Sequence, residues 1–151
     1  MEFDYVVVGA GSSGCVVANR LSQCGRYSVA LIEAGPPDNN PWIHVPVGYF
    51  RTMGNPKSDW CYKTQPDPGI AGRSIPWPRG RVMGGSSSIN GLLYVRGQPQ
   101  DFDTWSQLGC TGWSWDDVLP YFKRSEKWDG VDDSGLRGKD GPLSVQSSRL
   151  N

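Results

Sequence analysis

The sequence predicts an α/β fold: the opening of a doubly wound parallel sheet, loop-rich, with the later strands of that sheet missing. Three observations lead there. Tyr5–Val8 is a short β-branched run closed by Gly9, and Ser28–Ile32 is a second apolar run closed by Glu33; short unbroken apolar runs suit parallel strands covered on both faces. Between them, Val17, Ala18 and Leu21 share one helical face over Gly14–Gln23, with Gly25 as a C-terminal stop. The 20 glycines and 12 prolines among 151 residues describe a chain dominated by loops, not by long helices.

Each element follows in order. Strand, helix and strand form one crossover unit, and its right-handed connection makes it the start of the sheet. From Pro36 to Arg81 no period is sustained, and seven of the twelve prolines fall there beyond the pair at Pro36 and Pro37. Trp42, Tyr49, Phe50, Trp60, Tyr62 and Trp77 are too apolar for a disordered linker. This stretch is therefore a packed excursion, whose aromatics either cover the edge of the strand–helix–strand unit or line an approach to a ligand. Asp101–Leu108 places Phe102, Trp105 and Leu108 on one helical face before Gly109, and Ser114 with Asp117 forms a capping pair ahead of a helix over Val118–Lys123. Pro120, lacking an N–H, should bend or shorten that helix. A polar, glycine-rich loop after Lys127 leads to a short strand at Leu143–Val145.

The bulk properties narrow the function. A length of 151 residues suits one ordinary domain with an apolar core, so residues 1–151 are taken as a single unit. Fifteen basic residues balance fifteen acidic ones, so no whole-chain field attracts nucleic acid or an anionic membrane. No apolar run approaches the roughly 20 residues of a transmembrane segment, and the acidic opening Met1-Glu2-Phe3-Asp4 lacks the basic start of a signal peptide. A cytoplasmic protein is expected. Cys15, Cys24, Cys61 and Cys110 form no CxxC pair and His44 is the single histidine, so reduced thiols and no metal site are expected.

Two segments carry chemistry. Gly9-Ala10-Gly11-Ser12-Ser13-Gly14 leaves a predicted strand and opens a predicted helix, the context that gives GxGxxG its meaning. Gly9 allows the tight turn, Gly11 admits a pyrophosphate to the backbone, Gly14 lets helix and strand pack closely, and the helix N-terminus supplies donors. Glu33, at the end of the second strand, is placed to accept ribose hydroxyls. Its charge would repel a 2′-phosphate, which disfavours NADP and leaves FAD and NAD both open. The second segment, Pro78-Arg79-Gly80-Arg81-Val82-Met83-Gly84-Gly85-Ser86-Ser87-Ser88-Ile89-Asn90-Gly91, combines cations, paired glycines, hydroxyls and an amide. Such a set can cradle an anion and a heteroaromatic ring.

On these residues the chain resembles the N-terminal, FAD-binding part of the glucose–methanol–choline oxidoreductases, a group that includes choline dehydrogenase, aryl-alcohol oxidase and hydroxymethylfurfural oxidase. DYVVVGAGSSG with LIEAG is similar to the family's adenosine site, and Pro78–Gly97 to its first signature. Asp59-Trp60 with Tyr62, DFDTW at Asp101–Trp105, GWSW at Gly112–Trp115, PYF at Pro120–Phe122 and GPLSV at Gly141–Val145 extend the likeness over nearly the whole chain.

The resemblance implies a Rossmann-like domain and a non-covalent FAD. Gly9, Gly11 and Gly14 would face the pyrophosphate and Glu33 the adenosine ribose, with Ser12, Ser13 and Ala34 as further cofactor-binding residues. Gly84, Gly85, Ser86 and Ser87 would run along the phosphate-to-ring portion and Asn90 would sit by the isoalloxazine, with Arg81, Val82, Gly91, Tyr94 and Val95 as further cofactor-binding residues. Some relatives attach the flavin covalently through a histidine just before the position of Asn90; Ile89 stands there in this chain. The implied reaction is oxidation of the CH–OH group of a small alcohol, with oxygen, a quinone or a dye-like carrier as electron acceptor. The family's catalytic histidine belongs to its C-terminal half, so no catalytic residue is assigned and this portion alone should be inactive. Two alternatives stand beside this reading: a fragment of an NAD-binding dehydrogenase, and an inactive, truncated nucleotide-binding remnant.

Overall fold

A computed structural model describes residues 1–147. Contacts gather into two compact units, Met1–Leu93 and Tyr94–Asn151.

The first unit opens with β1 (Tyr5–Val8), α1 (Ser12–Ser22) and β2 (Val29–Ile32). β1 and β2 pair in parallel, Tyr5 opposite Val29 through Val8 opposite Ile32. The helix begins two residues before the predicted Gly14, because its cap is Gly11 and contributes no side-chain bond. Gly25 ends it in the left-handed region, at φ +69°, donating to the Ser22 carbonyl. A clasp starts the sheet: the Asp4 carboxylate accepts from the Ser28 amide at 2.7 Å and from the Ser28 hydroxyl at 2.8 Å. Those two neutral donors hold the Asp4 carboxyl below its ordinary pKa, the backbone bond foremost.

The excursion is ordered, as its aromatics require. It contains 3₁₀ turns at Pro41–Ile43, Pro46–Gly48 and Pro68–Ile70, a single helical turn α2 (Tyr49–Thr52), and an antiparallel pair, β3 (Tyr62–Lys63) with β4 (Pro76–Trp77). Its centre is polar: Thr52, Ser58 and Asp59 are all buried. The apolar core of this unit is small, with Ala10, Val82 and Ile89 as its most enclosed members.

The second unit has α3 (Pro99–Gln107) and α4 (Trp115–Ser125), followed by a parallel pair, β5 (Glu126–Trp128) with β6 (Leu143–Val145). The expected Ser114–Asp117 capping box caps α4. Pro120 does not shorten that helix, which runs eleven residues to Ser125. The carbonyl that Pro120 leaves without a donor belongs to exposed Asp116, where water can take its place. Phe102 is buried among Trp105, Trp115 and Phe122, at centroid distances of 5.4–5.7 Å. Leu108, expected on the same face, lies just past the end of α3 and is exposed. β5 was not anticipated, since Trp128 is its sole apolar residue.

Glu126, the first residue of β5, is fully buried and paired with two arginines. Its Oε2 accepts from Arg96 Nη2 at 2.5 Å and from the Gly138 amide at 2.9 Å, and its Oε1 from Arg137 Nη1 at 2.8 Å. Arg96 also lies 5.1 Å from the Phe122 ring centroid and Arg137 4.6 Å from that of Trp128.

Candidate functional site

The glycine loop is shaped by its backbone. Gly9 takes φ +95° and donates to the Ile32 carbonyl at 2.7 Å, which turns the chain sharply off β1. At Gly14 a Cβ would stand 1.8 Å from the Gly9 carbonyl oxygen, so only glycine lets α1 start so close to the strand. No side chain caps the eleven-residue helix, which leaves its first-turn donors, including Ser12 and Ser13, open to an anion.

Glu33 closes β2, where the sequence puts it, and does more than expected. Its Oε2 accepts from the Ala10 amide at 2.8 Å and its Oε1 from the Gly35 amide at 3.0 Å. The carboxylate thus ties the glycine loop to the strand that follows it, and each oxygen keeps a lone pair for a further donor. Ala34 beside it is exposed.

The second predicted segment meets the first. The Gly84 amide donates to the Ala10 carbonyl at 2.8 Å. Gly85, buried at φ +57°, sits so close to the loop that a Cβ on it would be 2.8 Å from Gly11 Cα. A 3₁₀ turn over Gly85–Ser88 exposes Ser86 and Ser87 beside this junction. The Ser86 hydroxyl accepts from the Gly80 amide at 3.0 Å, and the Ser87 hydroxyl donates to Gly84 at 2.6 Å. Arg81 lies 5.4 Å from the Trp60 ring centroid and donates to the Pro56 carbonyl at 2.8 Å, while its buried Nε has no partner among the described residues. Val82 is buried, so its side chain serves packing.

Asn90 is exposed and turns its Oδ1 onto the Leu92 amide at 3.0 Å, leaving its NH₂ group as the available donor beside exposed Gly91. Ile89 is buried at 2% exposure. Tyr94 and Val95 open the second unit, where Tyr94 accepts from Arg96 Nε at 3.3 Å and Val95 is exposed. His44 is engaged locally, its Nε2 2.7 Å from the Asp38 carbonyl oxygen. All four cysteines are free, and no group of metal-ligating side chains occurs among the described residues. No described helix is long and apolar enough to cross a membrane.

Sequence reasoning missed two features. One is the buried carboxylate of Asp59, whose partners are backbone amides and leave no side-chain pattern to detect. The other is an aromatic cleft of about 470 Å³ in the second unit, lined by Phe102, Gly112, Trp113, Val118, Tyr121 and Phe122. The aromatic spacing along α3 and α4 was its only signal.

Comparison with known proteins agrees with this geometry. The oxygen-dependent choline dehydrogenase of Brucella anthropi is 50% identical over 149 residues, 99% of this chain and 27% of that protein. Its counterpart in Sinorhizobium fredii is 49% identical over 146 residues, 97% of this chain and 26% of the relative. Among solved structures, pyridoxine 4-oxidase from Mesorbium loti matches with a TM-score of 0.84 at 40% identity, over 95% of this chain and 28% of that one. Formate oxidase matches with a TM-score of 0.84 at 32% identity, over 98% and 27%. The chain thus spans about a quarter of the length of the relatives it resembles. With the GMC oxidoreductase profile matching from residue 3 to residue 151, the chain belongs to that family.

Proposed function

We propose that this chain supplies the FAD-binding front of an enzyme that oxidises the CH–OH group of a small alcohol. The observation that carries the reading is the uncapped N-terminus of α1, set against Gly84 and Gly85. The residues fit a dinucleotide: open helix donors stand in a glycine-lined turn, with the exposed Ser86 and Ser87 beside it. When bound, FAD supplies a two-electron acceptor for hydride. The first-turn amides of α1 hold the pyrophosphate, Glu33 orients the adenosine ribose, and Ser86, Ser87 and the Asn90 amide offer polar contacts along the rest. Both units are taken to belong to one FAD-binding domain. Ile89 carries no nucleophile and is buried, which supports non-covalent attachment. Relatives named oxygen-dependent choline dehydrogenase, pyridoxine 4-oxidase and formate oxidase support a small polar substrate and oxygen as one electron acceptor. Four free cysteines favour a reducing compartment such as the cytoplasm.

The test is the absorption spectrum of the purified full-length protein. Flavin bands that move to the supernatant on acid precipitation, with bleaching by an alcohol from an aliphatic, aromatic and amino-alcohol panel, are expected. A colourless protein that binds NAD instead would overturn the reading, and colour retained in the pellet would overturn non-covalent attachment.

A further inference from the structure

Asp59 is 2% exposed, and among the described residues no cation lies against it. Its Oδ1 accepts from the Arg79 and Cys61 amides, both at 2.9 Å, and its Oδ2 from the Gly54 amide at 2.7 Å. Three donors and no acceptor surround the group, which is what an ionised carboxylate satisfies and a neutral amide does not. Burial raises its pKa, and the bonds from Cys61, Gly54 and Arg79 outweigh burial, leaving the carboxyl below its ordinary value. The same contacts hold Cys61 at φ +55°, a left-handed conformation that a non-glycine residue keeps only when its surroundings enforce it.

From this anchor an unbroken path of bonds leads to the glycine loop. Trp60 donates to the Arg79 carbonyl at 2.9 Å and Arg81 to the Ser58 carbonyl at 2.8 Å, so residues 58–60 and 79–81 are zipped together with the Asp59 carboxylate across the top. The next residue in that strip, Gly80, donates to Ser86, and the same turn places Gly84 on Ala10 and Gly85 against Gly11. The Arg81 guanidinium adds a second tie from this strip to the excursion, donating to the Pro56 carbonyl at 2.8 Å.

We propose that Asp59 is a positioning residue for the cofactor site, fixing Arg79–Arg81 so that Gly84–Ser87 stand at the correct distance from the Gly9–Gly14 loop. The proposal rests on the FAD-binding reading above. Asp59 touches no cofactor itself; it acts through the backbone of Arg79. Losing it releases the second wall of the site while leaving the first, held by Glu33, in place.

The experiment compares three variants of the full-length protein by FAD titration, with thermal melting followed in the absence of FAD. Asp59→Ala removes all three bonds and should weaken FAD binding by about tenfold or more, the loss expected when buried amides lose a charged acceptor. Asp59→Asn keeps an oxygen for Arg79 and Cys61 and should recover affinity to within about threefold of wild type. Thr52→Val removes the bond from the buried Thr52 hydroxyl to the Tyr49 carbonyl, outside that strip, and should lower the melting temperature without changing FAD affinity. Equal FAD affinity in Asp59→Ala and wild type, or equal losses in Asp59→Ala and Thr52→Val, overturns the proposal. Should Asp59→Ala not fold, Asp59→Asn must still bind FAD more weakly than Thr52→Val, and equality between these two overturns it. Failure of the wild-type protein to bind FAD would instead remove the functional reading on which it rests.

Discussion

Each unit encloses a carboxylate, and the two are satisfied in opposite ways. In the first unit Asp59 is held by three backbone amides and, among the described residues, no cation. In the second, Glu126 is held by Arg96, Arg137 and one amide. A carboxylate on amides fixes the course of the backbone, because its donors belong to the chain's own path. A carboxylate on arginines fixes side chains, and those arginines in turn lie over Phe122 and Trp128, where the unit keeps its aromatic packing. The first unit needs a shaped loop and the second a filled interior, so each places its buried charge accordingly.

The largest expected effect comes from breaking the second arrangement. Glu126→Gln strands Arg96, whose side chain is only 10% exposed, with an uncompensated charge. Removing one partner of a buried pair costs about 3–5 kcal/mol, so the urea midpoint should fall sharply and the Trp128 fluorescence should shift with it. Asp59→Asn strands no cation and should cost less, about 1–3 kcal/mol for an imperfectly satisfied buried group. Equal losses in the two variants would erase the distinction between them.

Glu33 sharpens the comparison from within the first unit, since it too bonds backbone amides. Glu33→Ala should lose about 1.5–3 kcal/mol of charge-assisted bonding, read as a one- to two-decade loss of FAD affinity in folded full-length protein. Unchanged affinity would remove Glu33 from the site. Gly14→Ala comes next: a Cβ at 1.8 Å from the Gly9 carbonyl oxygen forces backbone to move, at about 1–3 kcal/mol by the usual range for overpacking. Thermal melting with and without FAD would show both the lost stability and the displaced loop.

What was legible in the sequence was local. The turn at Gly9, the strand end at Glu33 and the Ser114–Asp117 box each follow from residues within a few positions of one another or from a fixed strand–helix–strand spacing. The site's second wall was legible as composition, but its contact with the first was not: Gly85 meets Gly11 through an excursion without periodicity, and backbone-to-backbone approach leaves no side-chain pattern. β5 was hidden for a related reason. Glu126 and Lys127 argue against a buried strand until Arg96, thirty residues earlier, supplies the charge that lets Glu126 go inside. The shortening expected at Pro120 does not occur, because an exposed helix turn can give its spare carbonyl to water.

The smallest expected effect is at the rim of the second unit, and it tests whether the arginine arrangement depends on backbone bonds after all. Asp132 accepts from the Ser134 hydroxyl at 2.7 Å and the Ser134 amide at 3.1 Å, and from the Arg137 amide at 2.9 Å. The Ser134 hydroxyl foremost, then the Arg137 amide, lowers its pKa from 3.8 to about 2. A depressed carboxylate contributes stability that is present above the unfolded value and is lost as pH falls through the folded one, so the window runs from about pH 4 down to about pH 2. Because Asp132 is only half-buried, the effect on global stability should be slight; its local consequence is larger, since the Arg137 amide it holds belongs to the residue that pairs with Glu126. A carboxyl NMR titration of the full-length protein should put the Asp132 midpoint near pH 2, with the Arg137 amide signal moving at the same midpoint. In Asp132→Asn that acid transition should vanish, while the Arg96–Glu126 pair, built without Asp132, should stay formed. A midpoint near the ordinary 3.8 would mean that the loop bonds do not hold in solution, and that Arg137 reaches Glu126 by side-chain attraction alone.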